Sequence, residues 1–241
     1  MQSALSLEYD APGLEPVPEK IPEIVLSCYP RAVQAVSEPW TGVASMSPKQ
    51  QRGEATAAHV LDCALDIYAS DGEAGLTLGA ITSAGGVSAG SIYHHFGSLQ
   101  GVVIALAQSW LGRLLDELAG ELTRSEDARG GIHAAVRAYL RFIQVHPDAA
   151  RLIHSVTVDR EFTARAQQIR GAQEARLTPL AAWLRARQEA GQLVDLPLPV
   201  VESLILGPVT GIARRWLSVG DIDIEEAART VPDRIWRSVS P

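Results

Sequence analysis

The sequence predicts an all-α chain in which a small helical unit precedes a larger helical body, and three observations lead to that reading. Apolar residues recur at helical spacing from about Gly53 to Val239, and no stretch alternates as a strand would. The segment Thr77 to Phe96, TLGAITSAGGVSAGSIYHHF, holds two short helical repeats separated by Gly85-Gly86. The first 48 residues differ from everything after them, with prolines at 12, 16, 18, 22, 30, 39 and 48 and no sustained period between them.

Residues 1–48 are accordingly expected to be a disordered tail or a mis-assigned start. Met46 is the second of two methionines and stands where the helical pattern begins, so a native start there is one expectation. From Gly53 to Ser70, Ala57, Val60, Leu61, Ala64, Leu65 and Tyr68 share a face opposite Glu54, Asp62 and Asp66, and Asp71-Gly72 ends that helix. Thr77 is a suitable N-cap for a two-turn helix carrying Leu78, Ile81 and Ala84. Gly85 and Gly86 supply positive φ, Val87 is an apolar plug, and Ser88 caps a second short helix. Ile92 and Phe96, at i and i+4, face its inner side. This is helix-turn-helix grammar.

Gly97-Ser98 breaks and recaps the chain, and Leu99 to about Leu122 forms a long helix with Val102, Val103, Leu106, Trp110, Leu114 and Leu118 along it. Helical pattern continues over Ile132 to Val145, from Pro147 through Val156, and from about Arg160 to Ala190, closed by Gly191. Pro199 to Val219 and Ile224 to Val239 make the last two helices, separated by Gly220 with Asp223 as N-cap. Gly207-Pro208 is expected to kink or split the first of them. The faces Leu204, Ile205, Val209, Ile212, Trp216 and Ile224, Ala227, Val231, Ile235 are apolar enough to predict a subunit interface.

At 241 residues and 46% hydrophobic content the chain has ample material for a buried core. Its two cysteines, Cys28 and Cys63, are too few for a disulfide framework or a zinc finger, which points to a reducing compartment, and Cys63 reads as a small core residue. No apolar run is long enough to cross a bilayer, so a cytoplasmic protein without a membrane partner is expected. The net charge of −7 is adverse to binding nucleic acid. Between Gln51 and Gln100 the only Lys or Arg is Arg52, so any phosphate contact there must come from histidines, hydroxyls and backbone amides.

The first helix, the segment LTLGAITSAGGVSAGSIYHHFGSLQGVV and the helical body behind it together resemble the TetR (tetracycline-repressor-like) family of transcriptional regulators. The pattern Gly-Val-Ser-x-Gly-x-aliphatic-Tyr-x-His-Phe is matched from Gly86 through Phe96. The resemblance implies a three-helix DNA-binding domain over 49–97 and a ligand-binding and dimerisation domain over 98–241. It further implies a homodimer joined through the last two helices, a double-stranded palindromic operator, a small-molecule effector that releases it, a repressor role and no cofactor. By the resemblance Tyr93 and His94 are the foremost DNA contacts, with Thr77, Ser88, Ala89, Gly90, Ser91 and His95 beside them. Departures from the family pattern are Thr82 and Gly85, where alanines are common, and Leu99, where a phosphate-binding lysine is common.

Rival chemistries are weak. Gly86-Val87-Ser88-Ala89-Gly90 matches the G-x-S-x-G nucleophile elbow, but a helix rather than a strand enters the turn, so an enzyme is not expected. His94 and His95 diverge by about 100° on a helix and no further ligand follows at metal spacing. His133, His146 and His154 read as packed or surface residues. In the body, Trp110, Tyr139, Phe142, His146 and Ile169 are nominated as an effector pocket, since they combine apolar walls with polar handles. The alternative to a regulator is a ligand- or protein-binding helical protein whose helix-turn-helix is vestigial, motivated by the acidic charge and Leu99.

Overall fold

The computed structural model describes residues 48–241, which form eleven helices and, among those residues, no strand. The tail, the start at Met46 and Cys28 lie outside the described residues. Helix α1 (Pro48–Gly75) is broken at Gly72, which has φ 67° and ψ −163°, close to where Asp71-Gly72 is expected to end it. Ala57, Val60 and Ala64 are buried along its inner face. Helices α2 (Leu78–Gly85) and α3 (Ala89–Phe96) follow, and both pack against α1.

Helix α4 (Leu99–Thr123) is the axis of the molecule. Seven consecutive residues, Val102 to Gln108, are buried, because α1 and α3 cover its start while α5 (Ala128–Val145), α6 (Pro147–Ile153) and α9 (Glu174–Glu189) cover other faces. Enclosed on all sides, this first half of the helix has no need of a polar stripe and is apolar nearly all round, whereas Arg113, Asp116 and Glu117 are exposed farther along. Asp127 caps α5 through Gly130 N, and Gln192 Oε1 accepts from Ala128 N, tying the start of α5 to the loop after α9.

Three expectations about the body change. The single helix expected from Arg160 to Ala190 is α7 (Val156–Ala164), α8 (Ala166–Ala172) and α9, with breaks at Arg165 and Gln173. Gln173 is buried, and its Nε2 donates to Gln108 O at 3.1 Å, an obligation to α4 that holds the chain at the break. Helix α10 (Leu198–Ser218) runs through Gly207-Pro208 without splitting. Both residues are exposed, so the proline ring lies on the side of α10 that faces away from the core.

The predicted interface face is the third change. Ile205, Val209, Ile224, Ala227 and Ile235 are buried within the one chain, and Leu204, Ile212, Trp216 and Val231 are half-buried against its core. Helices α10 and α11 (Ile224–Val239) pack on each other and both on α5, which uses that apolar surface internally. Asp223 caps α11 through Glu225 N and Glu226 N as expected. No helix among the described residues is long and apolar enough to cross a membrane.

Candidate functional site

Local capping chemistry builds the exposed end formed by α2 and α3. Thr77 Oγ1 accepts from Ala80 N at 3.1 Å and starts α2. Gly86, with φ 59° and ψ 22°, ends it in the left-handed region that favours glycine. Gly85 is helical instead of sharing the positive φ expected of it, and its carbonyl lies 3.0 Å from His59 Nε2, which ties α2 to α1. Ala84 is exposed, so Leu78 and Ile81 carry the packing of α2 without it.

Ser88 Oγ then accepts from Ser91 N at 3.1 Å and starts α3. Ile92 and Phe96 are buried, as their spacing predicts, and they hold α3 against α1 and α4. Gly97 donates to Tyr93 O and turns the chain, and Ser98 Oγ caps α4 through Gly101 N at 3.0 Å. Gly101 is a forced choice, since a Cβ there would lie 1.9 Å from the carbonyl oxygen of Phe96.

With the inner face of α3 fixed, its other face is open. Thr77, Ser88, Ala89, Gly90, Tyr93 and His94 are exposed, and Ser91 is half-buried. Tyr93 is 51% exposed, a high value for a large ring. A Cβ on Gly90 would meet only Ser88 Oγ, at 3.8 Å, so nothing inside the chain requires glycine there. His95 is the exception among the nominated contacts. It is buried, its Nδ1 has no hydrogen-bond partner, and its ring lies against Phe96 and the edge of His94. Burial first, and then the neighbouring His94, lower its pKa. Its position is that of a packing residue.

None of the five residues nominated for a pocket lines the apolar cavity among α4, α5, α9 and α10. Trp110, Phe142 and His146 meet as a ring cluster, with centroids 4.9 Å apart for Trp110 and His146 and 5.1 Å for Phe142 and His146. Tyr139 turns its hydroxyl to His154 Nε2 at 3.1 Å. Ile169 is buried on α8. Rings this close fill the space between them, and an apolar cavity between α4, α5, α9 and α10 is lined by Leu115, Leu118, Ile132, Leu180, Ile205 and their neighbours. The signal for it is a pair of leucine ladders, 115, 118, 122 and 177, 180, 184, each repeating at i, i+3 and i+7.

A capped two-helix turn over an apolar α1, with a buried Ile92-Phe96 pair and an open opposite face, is joined by a match of residues 60–106 to the family model for bacterial regulatory proteins of the tetR family. That match covers the helix-turn-helix and the start of α4, and it likens this part of the chain to the TetR family. It is 29% identical to the HTH-type transcriptional regulator BetI of Rhizobium meliloti over 89 residues, 37% of this chain and 44% of that protein. Among solved structures, a TetR family regulator from Marinobacter aquaeolei aligns with a TM-score of 0.63 at 19% identity, covering 79% of this chain and 98% of the other. The regulator FadR of Bacillus subtilis, solved in complex with stearoyl-CoA, aligns with a TM-score of 0.57 at 15% identity, covering 74% and 96%. These structural likenesses establish the fold: a TetR-like helix-turn-helix unit on an all-helical body.

Proposed function

We propose that this chain is a TetR-family DNA-binding transcriptional regulator, a repressor released from its operator by a small molecule. The carrying observation is the arrangement of α3. Buried Ile92 and Phe96 lock one face, while Ser88, Gly90, Tyr93 and His94 stand clear on the other, where short and hydrogen-bonding side chains can approach base edges and phosphates. Residues 49–97 act as the reader and 98–241 as the effector and dimerisation part. The contacts assigned to DNA are Thr77, Ser88, Ala89, Gly90, Ser91, Tyr93 and His94, without the buried His95.

A homodimer supports such a reader, because twofold-related α3 helices about 34 Å apart meet successive major grooves of a palindrome. The exposed side of α10 is the surface available for it. Val200, Leu206, Gly207 and Gly211 are exposed there, and a Cβ on either glycine would meet nothing. Effector binding in the body would favour an α4 position in which the two α3 helices no longer match that spacing, which requires different affinities for the two states.

The experiment is selection of bound fragments from the source genome, followed by a gel shift on the enriched site. A palindromic site retained by the chain supports the reading. The presence of a single Lys or Arg between Gln51 and Gln100 favours the other reading, a binding protein with a vestigial helix-turn-helix. Absence of detectable duplex binding even at low salt would decide for it.

A further inference from the structure

Two cavities meet at one arginine. The inner is an apolar slot of about 90 Å³ between α4, α5, α9 and α10. The outer is a wider groove of about 390 Å³ along α8 and α9. Arg170 and Leu177 line both. Every other residue lining the slot is Leu, Ile or Ala, apart from Glu202, so the slot holds neither ring nor hydroxyl. The groove adds Gln167, Glu174 and Thr178.

We propose that the effector is an aliphatic acyl chain joined by an ester, amide or thioester to an uncharged polar head. The chain enters the slot and the head rests in the groove. The inference rests on the reading of the body as an effector-binding part. A wall of Leu and Ile side chains offers no ring to stack on and no directional hydrogen bond, so it favours a flexible hydrocarbon over a planar heterocycle. At the mouth Arg170 can only donate, whereas the carboxylate oxygens of Glu202 and Glu174 accept. An acyl carbonyl accepts from Arg170, and an N–H or O–H of the head donates to a carboxylate. A free fatty acid would satisfy Arg170 but bring its own carboxylate towards Glu202 and Glu174.

Size supplies the coupling. The slot is smaller than the roughly 150 Å³ engineered cavity that admits benzene, so a chain of more than a few carbons must part α9 from α4 and α10. Leu115, Leu118 and Leu122 of α4 form one wall, while Val102 and Val103 of the same helix are buried at its other end, where α4 meets α1 and α3. A ligand that holds the slot open therefore acts on the helix that carries the reader.

Calorimetric titration of the full chain with the octanoyl and acetyl thioesters of N-acetylcysteamine, and with sodium octanoate, tests this. The octanoyl thioester is expected to bind most tightly, Ala135→Phe to abolish that binding by filling the slot, and Arg170→Ala to weaken it by roughly tenfold or more. Glu202→Gln should improve octanoate binding. Octanoate binding as tightly as the octanoyl thioester would overturn the proposal, as would undiminished thioester binding by a folded Ala135→Phe variant. Should that variant not fold, Arg170→Ala at the exposed mouth decides, and unchanged thioester affinity there overturns the proposal. A chain that binds its selected DNA but none of the three probes contradicts the ligand class. One that binds the octanoyl thioester without releasing DNA upholds the class and contradicts the effector-released repressor.

Discussion

Thr157 Oγ1 donates a 2.6 Å hydrogen bond to Glu73 Oε1, joining α7 to the end of α1 across 84 residues of sequence. Nearby, the half-buried Tyr68 of α1 feels Glu73, Arg151 and Asp148, and its burial raises its pKa. The end of α1 thus meets α6 and α7, giving the reader a second attachment to the body besides α4. Thr157→Val removes one exposed hydrogen bond, so stability is expected to change by no more than about 0.5 kcal/mol. The same variant should weaken effector-induced DNA release in a gel shift, and release identical to that of the native chain would show that α4 alone transmits the signal.

The caps at Thr77, Ser88 and Ser98 each satisfy a backbone N–H that a helix leaves open. Ser88→Ala is expected to lower stability by about 1 kcal/mol, read as a fall in the denaturant midpoint at an unchanged slope. Because the cap also fixes where α3 begins, sequence-specific DNA binding should fall with it.

Much of this end of the molecule was legible because its determinants are local. A hydroxyl three residues ahead of an open N–H, a glycine at a left-handed position and an i, i+4 apolar pair are all contained within one turn, and Thr77, Gly86, Ser88, Ile92 and Phe96 behave accordingly. The body was less legible because its determinants are not local. The break at Gln173 depends on a carbonyl of Gln108, 65 residues away. The slot needs four helices to converge, and the Trp110, Phe142 and His146 rings that resembled pocket walls close on one another instead. His95 follows directly on two exposed residues, Tyr93 and His94, and only the packing of α3 against its neighbours shows that it is buried.

His154 makes stability dependent on pH. Burial first, and then the positive charge of Arg214, lower its pKa from 6.5 to about 4, with Asp159 opposing. Its Nε2 faces the Tyr139 hydroxyl, and Arg214 is paired with Asp159 beside it. Between pH 4 and 6.5 the unfolded chain binds a proton that the native chain refuses, so stability rises with pH across that window. The contribution is complete above 6.5 and is lost as the pH falls towards 4, on the order of 3 kcal/mol over the whole span. His154→Gln keeps a hydrogen-bonding group and should flatten the slope, measured as Tm against pH. An unchanged slope would assign the acid sensitivity elsewhere.

Gly101 is a steric requirement at the joint between α3 and α4. A Cβ there meets the backbone of Phe96 at 1.9 Å, which no rotamer change relieves. Gly101→Ala is expected to cost at least ~1–3 kcal/mol and to disturb DNA binding. A variant with native stability would mean that the joint can shift at no cost.

In the proposed reading the exposed face of α3 reads DNA although Arg52 is the only Lys or Arg from Gln51 to Gln100. Hydrogen-bonding side chains and backbone amides then replace cations, and few counterions are released per site. The most direct measurement is the affinity of the full chain for its selected operator and for random duplex across a salt series, with Tyr93→Ala alongside. A marked preference for the operator, a shallow salt slope, and loss of that preference in Tyr93→Ala at unchanged Tm are expected. Equal affinity for every duplex, or a preference that survives Tyr93→Ala intact, would contradict that reading.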